Sequence, residues 1–367
     1  MPTVLHFKTK YLNLSELFID RLVRHHERYT PVVGTVEPRL YTEGLAVHAP
    51  AGVDRLTAAA AVHLNRTPPF LYDVVRRHRP AVIHGHFGLD SYRLIGLARR
   101  TRTPLLVHFY GYDVIRLPRE AGWRRRYRRL ARAGAAFVAV SEAMRQDLIA
   151  LGFPADRIEV IHLGLNPDAI RFQPRTAAGP RLMAIGRLVE KKGFIYAIDA
   201  VRLLREQGLP VHLDLYGDGP LRTALAARIE AAGLHDAVTL HGSCTNDQVI
   251  AALYEHDVLL VPSVLAADGD KEGLPQTLVE GLASGIPAVA TAHAGIPELV
   301  LDRETGLLVP ERDPAALARA VRTYLEHPAL AAAVSRAGRR AVEARHDIRT
   351  IVRQTEALYD RLAGTGR

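Results

Sequence analysis

A chain of 367 residues with 48% hydrophobic content fits two ordinary domains better than one compact α/β core. Its one cysteine, Cys244, excludes an internal disulfide framework and suits a reducing cytosol. A formal net charge of +9 and a pI near 9.8 imply an anionic partner, whether nucleic acid, a membrane surface or a phosphorylated substrate. The first ten residues lack the charged-then-apolar order of a secretory signal, and no apolar run reaches membrane-spanning length.

In chain order, short apolar runs alternate with amphipathic helical stretches. The spacing predicts strands at Thr3 to Phe7, Ala81 to His84, Leu105 to Phe109, Ala136 to Val140 and Ile158 to His162. A second series is predicted at Leu182 to Ile185, His212 to Tyr216, Val238 to His241, Val258 to Val261 and Ala288 to Thr291. Such alternation implies two parallel sheets, 1–165 and 181–346, whose strand ends face a central cleft where ligands of open α/β sheets bind. The three prolines and small residues of 166–180 suit an interdomain linker.

Within the first series, His84-Gly-His86 stands at a strand end, and its x-spacing of one, without a further His, Cys or carboxylate cluster beside it in sequence, is a weak metal pattern. No metal is expected. Trp123 to Arg132 places arginines on one helix with Trp123, Tyr127 and Leu130, and has two readings of equal weight: a segment lying on anionic lipid, or a solvated arginine-rich face. No base-stacking motif or zinc spacing accompanies it, so nucleic acid is not expected.

The motifs that carry chemistry follow strands of the second series. Gly186-Arg187-Leu-Val-Glu-Lys-Lys192-Gly193 puts a glycine turn, a guanidinium and an ammonium at one strand end, a pair able to neutralise a diphosphate. Gly217-Asp-Gly-Pro220 is a tight turn and not a dinucleotide fingerprint, because Arg222 stands where a third glycine is needed. His241-Gly-Ser-Cys-Thr-Asn246 offers main-chain groups to a nucleobase edge, with Cys244 a small filler rather than a nucleophile. In Asp268-Gly-Asp-Lys-Glu272-Gly-Leu-Pro-Gln-Thr-Leu-Val-Glu280, two carboxylates bracket the start of a buried helix that closes at Gly285, with Pro275 in its first turn. Free N–H groups there favour an anion, Glu272 can accept bonds from sugar hydroxyls, and Glu280, about two turns on, can take a ribose diol.

These four strand ends, in this order and spacing, resemble the retaining GT-B glycosyltransferases of family 4. Pro262-Ser-Val-Leu-Ala-Ala-Asp-Gly-Asp-Lys-Glu-Gly-Leu-Pro275 followed by His293-Ala-Gly-Ile-Pro-Glu298 is similar to the branch that builds colanic acid and amylovoran. The resemblance implies a GT-B fold of two Rossmann-like domains, with a terminal helix from about Asp347 crossing back to the first. It implies that Gly186, Arg187 and Lys192 hold the donor diphosphate, Glu272 the sugar and Glu280 the ribose. Backbone near Gly273 and Leu274 would meet sugar and phosphate, and Gly217 and Cys244 would lie on the donor side. On the acceptor side it implies Ser15, Glu16, His86, Asp113 and either His108 or Tyr110, since relatives read Phe-His-Gly-Tyr-Asp where Tyr110 precedes Gly111-Tyr112-Asp113. Ser15 is read as a helix N-cap.

The implied activity is retaining hexosyl transfer from a nucleotide-diphosphate sugar, with UDP-sugar the default, to a hydroxyl acceptor, a lipid-linked glycan among the candidates. It needs no cofactor, since Arg187 and Lys192 replace a cation, and exopolysaccharide assembly at the inner face of the cytoplasmic membrane is the implied setting. A nucleotide-sugar hydrolase or 2-epimerase, and a non-catalytic nucleotide-sugar-binding subunit, are the alternative readings on the same fold. Two departures stand out: Glu280-Gly-Leu-Ala283 replaces the usual Glu-Ala-Met-Ala, and Gly164-Leu165-Asn166 replaces Gly-Ile-Asp.

Overall fold

The computed structural model describes residues 1–11, 16–38 and 43–364. Ser15, assigned from sequence to the acceptor side, lies outside the described residues. The chain divides into two compact units: Met1–Leu165 together with the chain from Ile348 onward, and Asn166–Asp347.

Strands of the first unit are β1 (Thr3–Phe7), β2 (Lys10–Tyr11), β3 (Thr30–Gly34), β4 (Glu37–Pro38), β5 (Ala46–His48), β6 (Val82–His86), β7 (Leu105–His108), β8 (Ala136–Ala139) and β9 (Ile158–Val160). Seven of them form one sheet in the order β5-β3-β1-β6-β7-β8-β9, parallel throughout, while β2 and β4 pair separately. The chain leaves β1 in one direction and returns at β6 to proceed in the other. The topological switch point therefore falls between β1 and β6, where such sheets bind ligands outside the carboxyl ends.

Both faces of this sheet are covered. One packs Leu5, Phe7, Ile83 and Val107 against Leu71, Tyr127 and Phe153. The other packs Val4, Val82, Leu106 and Val138 against Ile351, Val352, Leu358 and Tyr359 of the last helix, Ile348–Ala363. That helix is fixed through Glu356, which accepts the N–H groups of Glu27 and Arg28 at 2.9 Å each.

The second unit carries β10 (Arg181–Ile185), β11 (His212–Tyr216), β12 (Val238–Gly242), β13 (Val258–Val261), β14 (Ala288–Thr291) and β15 (Leu307–Val309) in the parallel order β12-β11-β10-β13-β14-β15. Its switch point lies between β10 and β13. The segment 166–180, read from sequence as a linker, is pinned to this unit: Arg175 donates to Leu253 O at 2.7 Å, and Arg339 donates to Ile170 O at 2.8 Å.

Among the described residues, five strands escaped the periodicity: β2, β3, β4, β5 and β15. Each is at most five residues long, and β3 has a proline as its second residue, so no apolar alternation builds up. The strand predicted to stop at His84 continues to His86.

Candidate active site

At the second unit's switch point, the loops after β10 and β13 are tied together residue by residue. After Gly186 and Arg187 the chain makes a 3-10 turn, Glu190–Lys192, and enters the helix Phe194–Glu206 through Gly193 at φ 63°. Only glycine fits there, since a Cβ would meet Pro262 O at 1.9 Å. Val264 N–H donates to Lys191 O at 2.9 Å, and Ala267 N–H donates to Glu190 Oε1 at 2.9 Å. The Lys191 ammonium pairs with Asp270 at 3.3 Å, and that of Lys192 lies 3.2 Å from Glu272 Oε1.

Burial alone would push the Glu272 carboxyl up; Lys192 and then Lys191 outweigh it and hold it below its ordinary value. The Glu272 N–H donates to His293 Nε2 at 3.1 Å, and His293 Nδ1 bonds Glu311 Oε1 at 2.7 Å. A nitrogen that accepts cannot carry the proton, so His293 is the Nδ1–H tautomer. Arg187 is exposed, and among the described residues its guanidinium has no hydrogen bond or ion pair. One unpaired guanidinium beside two ammonium groups is an anion-ready arrangement.

Behind this loop, the helix Gln276–Ser284 has Pro275 as its N-cap rather than inside its first turn, as the sequence reading had it. No side chain caps its first amides, and it ends at Gly285 with φ 94°. Its amino end therefore offers N–H groups for an anion. Glu280 is buried within it, and Gln276 carries a side-chain amide whose nitrogen and oxygen are both buried without a partner. On the far side of β10, Gly217 touches Gly186 so closely that a Cβ would lie 2.0 Å from Gly186 O. Cys244 is half-buried with its Sγ 3.5 Å from Gly242 O, just ahead of Thr245, which caps the helix Asn246–Glu255 in a capping box with Gln248.

Sequence reasoning assigned no role to Lys191, Asp270, Gln276, His293 or Glu311. The signal for His293 was present in the quoted His293-to-Glu298 motif; the others become visible only when loops from β10, β13 and β15 meet.

At the first unit's switch point, Lys8 lies 3.4 Å from Glu16 and 3.6 Å from Asp90, and sits 4.1 Å from the centre of the Phe87 ring. Asp90 also pairs with Arg93 and accepts the Thr9 N–H. Phe87 has φ 67°, a strained conformation for a residue with a Cβ, at the carboxyl end of β6. Asp113 is fully buried and accepts the N–H groups of Gly88, Tyr110 and Gly111 at 2.9, 3.1 and 2.9 Å, which locks the loops after β6 and β7 together. Asp90 and Arg93 were missed because nothing near them in sequence marks them.

His86 and His108 are buried, and Tyr110, half-buried, bonds His86 Nδ1 through its hydroxyl at 2.7 Å. Burial holds the His108 imidazole down at about 3 and pushes the Tyr110 phenol well up. These two residues and His86 are thus neutral at physiological pH. The supposed isolation of the His84-Gly-His86 pair is corrected by the fold, since β1 and β7 bring His6 and His108 against it.

Two units, each a parallel sheet with a topological switch point, with basic loops and a helix amino end at one of them, define the class of open α/β proteins that bind ligands at strand ends, and the comparisons with known proteins give the family. The family described as Glycosyltransferase Family 4 matches residues 18–169, and that described as Glycosyl transferases group 1 matches residues 168–341. The colanic acid biosynthesis glycosyltransferase WcaL of Escherichia coli is 36% identical over 300 residues, covering 80% of this chain and 72% of that protein. The amylovoran biosynthesis glycosyltransferase AmsK of Erwinia amylovora is 35% identical, covering 70% of this chain and 63% of that protein. The Anabaena HepE protein in complex with UDP superposes with a TM-score of 0.80 at 21% identity, over 98% of this chain and 100% of that one. The chain belongs to the family 4 glycosyltransferases and has their GT-B fold.

Proposed function

We propose that this glycosyltransferase moves a hexosyl group from a UDP-sugar to a hydroxyl acceptor with retention of configuration, in exopolysaccharide assembly. The observation that carries the donor side is the meeting of Lys192, Lys191 and Glu272 beside an unpaired Arg187 and an uncapped helix amino end. Arg187 and Lys192 act on the diphosphate, Glu272 on the sugar and Glu280 on the ribose. UDP as the nucleotide is supported by the UDP and UDP-glucose complexes of HepE, and the setting by the names of the colanic acid and amylovoran relatives.

In the reaction, the bond from the anomeric carbon to the phosphate oxygen breaks through an oxocarbenium-like state, and the acceptor oxygen bonds that carbon on the same face. The acceptor proton goes to the departing phosphate oxygen, so no protein nucleophile is needed. Negative charge grows on the leaving diphosphate, where the cationic groups and the helix amino end stabilise it without a metal. Glu16 and Tyr110, in the first unit, serve the acceptor, with Asp113 locking the loops after β6 and β7 and with His86 and His108 behind Tyr110.

Thermal-shift measurements with uridine, guanosine, adenosine and thymidine diphosphates and their sugars, in chelator, test the donor. A ligand at 100 times its Kd adds about 2.7 kcal/mol of stability. A shift confined to the uridine series and lost in Glu280→Ala supports the reading. A shift in another series reassigns the base, and none in any series removes the donor site.

A further inference from the structure

The buried face of the first unit's sheet carries an unusual charge of imidazole. His6 stands on β1, directly opposite His84 on β6, and His86 lies two residues further along the same strand and on the same face. All three are 0% exposed. One ring nitrogen from each lies within 4.8 Å of the other two.

The hydrogen bonds sort the six nitrogens into two sets. Three are held from outside: His6 Nε2 by His26 at 3.0 Å, His84 Nδ1 by the Tyr359 hydroxyl at 2.6 Å and His86 Nδ1 by the Tyr110 hydroxyl at 2.7 Å. The other three belong to the interior of the cluster. His6 Nδ1 and His86 Nε2 are 3.0 Å apart, and His84 Nε2 is buried with no partner. Each imidazole thus has one nitrogen anchored by an outer group and one left over, which is how metal-ligating histidines are oriented. His26 in turn meets the buried carboxylate of Glu356 at 3.3 Å, so negative charge backs the cluster through one intervening ring.

We propose that His6, His84 and His86 bind one divalent transition-metal ion of the zinc class. Three nitrogen donors and no first-contact oxygen favour zinc, cobalt, nickel or copper over magnesium or calcium. Without an ion, His6 Nδ1 and His86 Nε2 share a single proton; when the cation takes its place, that proton moves to the outer nitrogen of the same ring, which then donates to its outer partner, and His84 Nε2 gains a partner. Metal–nitrogen bonds of about 2.1 Å set tetrahedral nitrogen separations of about 3.4 Å, so nitrogens that lie within 4.8 Å of one another close by about 1.4 Å at most, through ring rotation. His108 stacks on His84 at 5.5 Å with both ring nitrogens buried and unpartnered. This ion is separate from the donor diphosphate, whose cationic groups lie in the second unit.

The test uses the full chain, free of any tag and treated with chelator, then titrated with Co2+ and Zn2+. One equivalent of Co2+ with visible d–d absorption, displaced by Zn2+, is the expected result. His84→Phe should lower the Co2+ affinity at least tenfold and lose the absorption. Tyr359→Phe keeps the ligands but removes an outer anchor, and should weaken binding about 10- to 100-fold, with circular dichroism confirming the fold of both. No stoichiometric uptake by the wild-type chain, or absorption unchanged in both variants, overturns the site.

Discussion

On the proposed donor reading, Arg187 is the residue on which the chemistry turns most directly, because Lys192 is shared with Glu272 at 3.2 Å while the guanidinium has no competing carboxylate among the described residues. A group that stabilises the leaving diphosphate acts mainly when charge develops there. Arg187→Ala should therefore lower kcat about 100- to 1,000-fold and change the donor KM far less. Equal loss in binding and turnover, in steady-state kinetics with saturating acceptor, would count against a leaving-group role. Arg187, Lys192, Glu272 and Glu280 could be proposed from the sequence because each sits at a fixed offset from a glycine or proline that punctuates a strand end. Glu311 could not, because its partnership with His293 spans 18 residues and exists only once β14 and β15 are paired. The imidazole cluster was hidden for the same reason: His6 and His84 are neighbours by strand register alone.

At the scale of elements, the helix Gln276–Ser284 explains a departure that looked arbitrary in the sequence. A Cβ at position 281 would lie 2.4 Å from Leu259 Cδ2, so an alanine there would require the Leu259 side chain on β13 to shift, and glycine lets the helix and strand pack as they do. The last helix, Ile348–Ala363, is held by a polar contact as well as by its apolar face. Burial would push the Glu356 carboxyl up, but the bonds from His26, Arg28 and Glu27 outweigh it and bring it down to about 2. A carboxyl depressed by folding stabilises above its unfolded pKa and loses that contribution as pH falls through the folded value. Glu356→Gln should then cost on the order of 3 kcal/mol at pH 7. The gap in unfolding free energy between variant and wild type should close between about pH 4.5 and pH 2, measured by urea denaturation; a gap independent of pH would mean that the carboxylate charge contributes nothing. The strands missed in the sequence were the short ones, whose identity rests on pairing rather than on their own pattern: β3 with β1, β5 with β3, β2 with β4 and β15 with β14.

For the molecule as a whole, the positive charge is concentrated on one helix, Trp123–Ala133, and its side chains decide how it meets an anionic surface. Trp123 is 5% exposed and Tyr127 and Leu130 are 0% exposed, packed among Phe109, Phe137 and Phe153. Of the two sequence readings, a segment lying on lipid or a solvated arginine-rich face, the burial fits the second: the apolar stripe is core, and arginines 124, 125, 128, 129 and 132 face outward. They have no ion pair among the described residues. None of the described helices is long and apolar enough to cross a membrane. Any attachment through this helix is thus electrostatic, without inserted side chains, and must weaken as salt rises. Vesicles rich in anionic lipid should bind the chain at low ionic strength. Replacing Arg124, Arg125, Arg128 and Arg129 with glutamine should weaken that binding about 100- to 1,000-fold, at about 1 kcal/mol per arginine. Trp123 is the single tryptophan, so its fluorescence reports on this helix alone. Binding without a blue shift means surface attachment by charge, binding with one means that the helix leaves the core to insert, and no binding at low salt removes the membrane from the account of this glycosyltransferase.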